Sequence, residues 1–145
     1  MSNPNIDLCL TFHRAYAKLR LQLDDELGIH HGIDFDDFAL LHALASADGP
    51  TSLASLAAQL SVSRSVVMRR LRPLEKIGLV VYHSGVTDRR IALRTAGLSL
   101  IRTAHETVGG VCAKRSLIED VERLNEALLR PALVRCSQTG TDAQK

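Results

Sequence analysis

The sequence holds no tryptophan, and only two tyrosines and three phenylalanines among its 145 residues. A surface that binds single strands or RNA by stacking bases on aromatic rings therefore has almost nothing to stack with. Its cysteines, Cys9, Cys112 and Cys136, are odd in number and form no C-x-x-C pair, which argues against a disulfide framework and against a zinc knuckle. No apolar run approaches the roughly 20 residues that cross a bilayer, and Met1 to Ile6 lacks the charged and apolar regions of a signal peptide. The expectation is a cytoplasmic protein with reduced thiols and no membrane partner. No nucleophile stands at a recognisable spacing from a base, and no metal-ligand constellation is present. An enzyme is thus not expected, nor a cofactor, nor a bound metal.

What is present is a chain 46% hydrophobic and of single-domain length, long enough to bury a core. A net charge of +2 says little about partners, but its distribution does. From Ser61 to Arg94 the basic residues are Arg64, Arg69, Arg70, Arg72, Lys76, Arg89, Arg90 and Arg94, against Glu75 and Asp88, a net +6 that leaves −4 for the rest. Arginine gathered on one short segment is the footprint of a surface that meets phosphates.

That segment lies within Ser52 to Thr95, around which the chain is organised. A short apolar-periodic helix, a three-residue turn, a basic helix and two β-rich runs around a glycine are the parts of a winged helix-turn-helix. Ahead of it, Leu8, Phe12, Ala15, Leu19, Leu23 and Leu27 recur at helical spacing, and Leu10, Ala17 and Leu21 widen that face until it must bury two sides, one of them against a partner. Gly28 is expected to end this first helix. Asp34 reads as the N-cap of a second, with acids in its first turn, and Gly49-Pro50 as its stop.

Thr51 or Ser52 caps the third helix, with Leu53, Leu56, Ala57 and Leu60 inward and Ala57 the small residue at the helix crossing. Val62 is expected to plug the turn. Ser63 caps the fourth, in which Val67, Leu71 and Leu74 face the core and Arg64, Ser65, Met68, Arg69 and Arg72 face out. Pro73 predicts a kink near Arg69 or a tightened last turn. Gly78 closes the helix. Leu79 to His83 and Arg89 to Arg94 read as wing strands around Ser84-Gly85-Val86-Thr87, with Leu93 buried; a strand regular to its end leans Arg89 to the core side and Arg90 to solvent, whereas a strand end at a tight turn can release both. A fifth helix carries Leu98, Ile101, Ala104, Val108, Val111 and Cys112, weakened by Gly109-Gly110. Ser116 to Glu119 is a capping box for a sixth with Leu117, Val121, Leu124 and Leu128, limited by Pro131. A polar tail, Ser137 to Lys145, follows.

The fold class is then mainly α with a small β-hairpin wing. Residues early in a recognition helix point at base edges, so Ser63, Arg64, Ser65 and Arg69 are the direct-readout candidates on double-stranded DNA, with Met68 reaching thymine methyls and Arg72 further along. Arg89 and Arg90 are the wing candidates for the minor groove, and Asp88 would orient an arginine.

Over nearly its whole length this order of parts resembles the MarR family of bacterial transcription regulators. Leu56-Ala57-Ala58-Gln59-Leu60-Ser61-Val62-Ser63-Arg64-Ser65 and Leu74-Glu75-Lys76-Ile77-Gly78-Leu79-Val80 are similar to the family's L-A-x-x-L-G-V-S-x-S and L-E-x-x-G-L-V. Asp88-Arg89-Arg90 matches its wing Asp-x-Arg, and Leu93-Arg94-Thr95-Ala96-Gly97 its Leu-Thr-x-x-Gly with Arg94 for Thr. Ser61 stands where Gly is usual, the interval between the wing motifs is short, and Pro73 interrupts the recognition helix. The resemblance implies a single domain over 1–145, with dimerisation helices at 6–33 and 96–136 and a DNA-binding region at 34–95. It further implies a homodimeric, ligand- or stress-responsive repressor on a pseudo-palindromic operator, released by a small molecule, an oxidant or a metal.

Tyr16 and His42 are candidates to touch a small-molecule effector. Cys9 lies where the family's organic hydroperoxide sensors keep a reactive thiol. With no Lys or Arg beside it in sequence, it reads first as an inert core cysteine, a thiol-based redox sensor being the alternative. His30, His31 and His42, with Asp34 and Asp37 nearby, could line a metal site as in the family's zinc-responsive members, but their spacing matches no strong ligand motif and they read first as surface or cap histidines. A protein-docking winged helix is the other class, and it would carry an apolar or acidic fourth helix in place of a basic one.

Overall fold

The structure is a computed structural model, and it describes residues 3–84, 89–114 and Glu126. Apart from Glu126, the expected sixth helix from Ser116 to Pro131 lies outside the described residues, as do Cys136, the polar tail, and Gly85 to Asp88 of the wing turn. By its contacts the chain divides into two compact units, 1–109 and 110–145.

Helix α1 spans Pro4–His31, opened by the Asn3 side chain, which accepts from the Asn5 N–H at 3.0 Å, with Pro4 in the first turn where its missing N–H costs nothing. Its end corrects the sequence reading. The helix runs through Gly28 and stops at Gly32, whose backbone is left-handed (φ 68°) and whose N–H bonds the Gly28 carbonyl. Nothing in Ile29-His30-His31 forbids helix, and the chain turns only where Ile33 must be buried.

Helix α2 (Phe35–Ala45) begins where the Asp34 carboxylate accepts from the Asp37 N–H at 2.8 Å. It buries Phe38, Leu40, Leu41, Ala43 and Leu44, so it forms the centre of the first unit. A two-residue strand, β1 (Thr51–Ser52), comes next, and the Ser52 side chain caps α3 (Leu53–Leu60). Helix α4 is Arg64–Lys76, capped by Ser63, and β2 (Val80–Ser84) and β3 (Arg89–Leu93) form the hairpin. All strands are antiparallel in the order β1-β3-β2, with Thr51 opposite Ile91, Tyr82 opposite Ile91 and Ser84 opposite Arg89.

α3 and α4 end in the same way. Val62 N–H returns to the Ala57 carbonyl and Ser61 N–H to Ala58, and likewise Leu79 N–H to Leu74 and Gly78 N–H to Glu75. This paired return requires a left-handed residue, supplied by Gly78 (φ 82°) in α4 and by Ser61 (φ 54°) in α3. Ala57 is buried at the α3–α4 crossing as expected, but Val62 is 41% exposed and plugs nothing. The turn is closed by its backbone bonds, which leave that side chain outside. α4 continues through Pro73 to Lys76, and the ring's loss falls in the last turns, where the Ile77 N–H bonds the Pro73 carbonyl at 3.1 Å.

One core joins Leu27, Ile33, Phe38, Leu41, Leu56, Val67, Leu71, Leu74, Val80, Ile91, Ile101 and Ala104. Leu93 is only partly buried against it. Helix α5 (Thr95–Ala113) docks by its first turn, where a Cβ on Gly97 would sit 2.3 Å from the Leu79 carbonyl oxygen. The helix is continuous through Gly109-Gly110, which mark the division between units. In the second unit the described residues are the last turn of α5 and Glu126, with Val111 buried and Cys112 half-buried.

Candidate nucleic-acid interface

Val67, Leu71 and Leu74 fix the rotation of α4 by entering the core. The opposite face then carries Arg64, Ser65, Arg69 and Arg72 exposed and Met68 half-buried, the set expected from the sequence. Ser63 anchors its start: its Oγ accepts from the Val66 N–H at 3.4 Å and lies 2.9 Å from Ser65 Oγ.

Arg70 belongs elsewhere. Its Nη1 donates to both Asp34 carboxylate oxygens at 2.9 and 2.7 Å and to Asp37 Oδ1 at 3.1 Å, and its Nη2 to Asp36 Oδ2 at 2.6 Å. Asp36 Oδ2 also receives Arg20 Nη2 of α1 at 2.5 Å, and Asp24 Oδ1 accepts from the Phe35 N–H at 2.8 Å. Burial would lift the Asp34 carboxyl, but the Asp37 N–H and the Arg70 guanidinium outweigh it and hold it below the ordinary carboxylate range. Asp37 goes the other way, raised by burial and by Asp34's charge more than Arg70 lowers it. The sequence count of basic residues treated Arg70 as part of the footprint, whereas it pins α4 to the start of α2. The acids at the start of α2 were the available signal, read from the sequence as cap and helix-dipole groups or as neighbours of a histidine metal site, and not as partners of an arginine.

The wing arginines part company. Arg89 lies on the sheet face shared with Tyr82 and Ser84, against α4, as strand parity predicted. Met68, Arg72 and Glu75 of α4 meet Tyr82, Ser84 and Arg89 around a groove of about 380 Å³. The Tyr82 hydroxyl donates to Met68 Sδ at 3.5 Å. Burial, then the Glu75 charge, raises the Tyr82 phenol, while Arg72 and Arg89 act against them. Arg90 points to the other side, where its Nη1 donates to the Pro50 carbonyl at 3.2 Å. Tyr82 was missed in the sequence reading. Its signal was register, since a hairpin that pairs Ser84 with Arg89 sets Tyr82 on the same face.

The other candidates scatter. Tyr16 stacks on Phe12, with centroids 6.4 Å apart, on the exposed side of α1. His42 packs on Phe38, and its Nδ1 is 2.8 Å from His105 Nε2. Cys9 is exposed on α1, not in the core. His31 Nε2 meets Thr107 Oγ1 at 2.8 Å and His30 pairs with Glu26, so the histidines and acids weighed as metal ligands are spread over separate contacts. Among the described residues no group of three or more His, Cys, Asp or Glu could hold a metal ion, and no helix is long and apolar enough to cross a membrane.

A family model described as the IclR helix-turn-helix domain matches residues 38–84. No curated protein sequence matches the chain. Among solved structures, AbsC of Streptomyces coelicolor, a MarR family regulator, superposes with a TM-score of 0.78 at 19% identity over 95% of this chain and 98% of its own. The M. tuberculosis transcriptional regulator MosR, in complex with DNA, gives 0.71 at 27% identity over 87% and 97%. CouR of Rhodococcus jostii, bound to p-coumaroyl-CoA, gives 0.71 at 16% identity over 99% and 100%. The IclR match is confined to the helix-turn-helix segment, which many regulators share, whereas the MarR likeness runs through the flanking helices too. The chain is a winged helix-turn-helix protein with the fold of the MarR-family transcriptional regulators.

Proposed function

We propose that this chain is a ligand- or stress-responsive DNA-binding regulator, a cytoplasmic homodimer that represses transcription from a pseudo-palindromic operator. The observation that carries the reading is the outward row of α4, Arg64, Ser65, Met68, Arg69 and Arg72, held in place by a buried apolar seam and flanked by Arg89. Its N-terminal residues Ser63, Arg64, Ser65 and Arg69 read base edges in the major groove, and the hairpin arginines follow the backbone into the minor groove. The DNA complex of MosR, at 27% identity, supports duplex DNA as the partner.

Dimerisation is assigned to the helices within 6–33 and 96–136. Ile6, Leu10, Phe12 and Tyr16 on α1 are large apolar residues left exposed in the single chain, which is the surface a second copy would cover. The p-coumaroyl-CoA complex of CouR supports a small-molecule effector, with Tyr16 and His42 as the first residues to examine. Cys9, exposed on α1, keeps the thiol-sensing alternative open to experiment.

A gel shift with the DNA upstream of the chain's own gene, with and without aromatic acids or peroxide, tests this reading. A retarded band released by one of these compounds is expected. No retardation on any duplex would contradict it.

A further inference from the structure

The groove between α4 and the hairpin joins two sets of side chains from separate elements. Met68, Arg72 and Glu75 follow one another at i, i+4 and i+7 along one edge of α4, while Tyr82, Ser84 and Arg89 share the facing side of the sheet. The base-reading candidates stand on the first half of α4. When the N-terminal residues of a recognition helix lie at the base edges, its later turns climb out of the major groove past the sugar-phosphate backbone. We propose that this groove is the seat of one backbone phosphate of duplex DNA, to which Arg72 and Arg89 bring charge, Tyr82 a directed hydrogen bond, and Glu75 a repulsion that limits affinity. The proposal rests on the DNA-binding reading and adds Tyr82 and Glu75 to it.

The chemistry of the groove favours an oxyanion. The Tyr82 hydroxyl donates to Met68 Sδ at 3.5 Å, and a thioether is a weak acceptor that a phosphate oxygen readily displaces. Burial and Glu75 keep the phenol above its ordinary pKa, so at neutral pH it retains the proton it donates. Ser84 adds a second neutral donor at the rim. Glu75 is the one carboxylate of the lining, and its charge opposes that of the arriving phosphate.

Fluorescence anisotropy of the full chain tests the seat on two duplexes of about 20 base pairs, one from upstream of its own gene and one of random sequence, across a salt series. Tyr82→Phe is expected to weaken both by the same factor, about five- to tenfold, with an unchanged log-log salt slope because no charge is lost. Glu75→Gln is expected to tighten both about two- to fivefold. Inorganic phosphate replacing chloride at constant ionic strength should compete for the seat, weakening DNA binding by the wild type more than by Tyr82→Phe. Phosphate that binds the groove through Tyr82 but leaves the wild-type affinity for DNA unchanged would make the groove a free-anion site, and the assignment to DNA would fail. A Tyr82→Phe loss confined to the upstream duplex would make Tyr82 a base reader and overturn the seat. Wild-type binding that both variants reproduce overturns the seat alone, whereas a wild type that binds neither duplex overturns the DNA-binding reading with it.

Discussion

Ser61 closes α3 with a left-handed backbone (φ 54°), the one non-glycine residue of positive φ among the described residues. That conformation costs an L-residue roughly 1–2 kcal/mol. Ser61→Gly removes the strain but gives the unfolded chain more freedom, a loss of up to about 1 kcal/mol. The strain is the larger effect, so the variant is expected to gain about 0.5–1 kcal/mol, visible as a rise of a few degrees in Tm. An unchanged or lower Tm would show that Ser61 bears no strain. Asp34 and Asp37 make a second test, because they share Arg70 yet titrate in opposite directions. Asp34 has a depressed folded pKa, so its stabilisation is complete above its unfolded value, near 3.9, and is lost as pH falls through the folded one. Asp37 has a raised folded pKa, so its ionised form costs stability that returns on protonation. In urea unfolding, Asp34→Asn should lose about 1 kcal/mol at pH 7, discounted for partial exposure, with the deficit shrinking toward pH 3. Asp37→Asn should lose nothing at pH 7, and a loss equal to that of Asp34→Asn would refute the assignment.

Among the elements, the wing carries the clearest expectation. Arg89 faces α4 and the groove, while Arg90 is tied to the Pro50 carbonyl beside β1. The double change Arg89→Ala, Arg90→Ala should weaken binding to every sequence, more so on A·T-rich flanks, and flatten the log-log salt slope by about one to two units. Arg89→Ala alone should account for most of it, and an unchanged slope in the double variant would mean that the wing does not reach DNA. The basic helix and hairpin were legible in the sequence because periodicity, caps and charge agree there: Ser52, Ser63 and Asp34 cap the helices they were expected to cap. What was illegible is tertiary. β1 is too short to alternate and exists only by pairing with β3. The end of α1 is set by the burial of Ile33, so Gly28 could not mark it, and the partners of Arg70 lie 33 to 36 residues away on α2. Within the interface, Tyr82 stayed unseen because its role depends on hairpin register.

For the whole molecule, the exposed apolar side chains of α1, Ile6, Leu10, Phe12 and Tyr16, make a homodimer the expected state in solution. Light scattering at micromolar concentration should give twice the 15.9 kDa of the chain, and a monomer would contradict the two-fold arrangement on half-sites about 10 base pairs apart. The central claim is that α4 reads sequence as well as charge. The most direct measurement is the affinity of Arg64→Ala and Arg69→Ala, beside the wild type, for the duplex from upstream of the chain's own gene and for a scrambled duplex of equal length. Each variant should lose about 1–3 kcal/mol on the first and much less on the second. Equal losses on both duplexes, or a wild type that binds both alike, would contradict it.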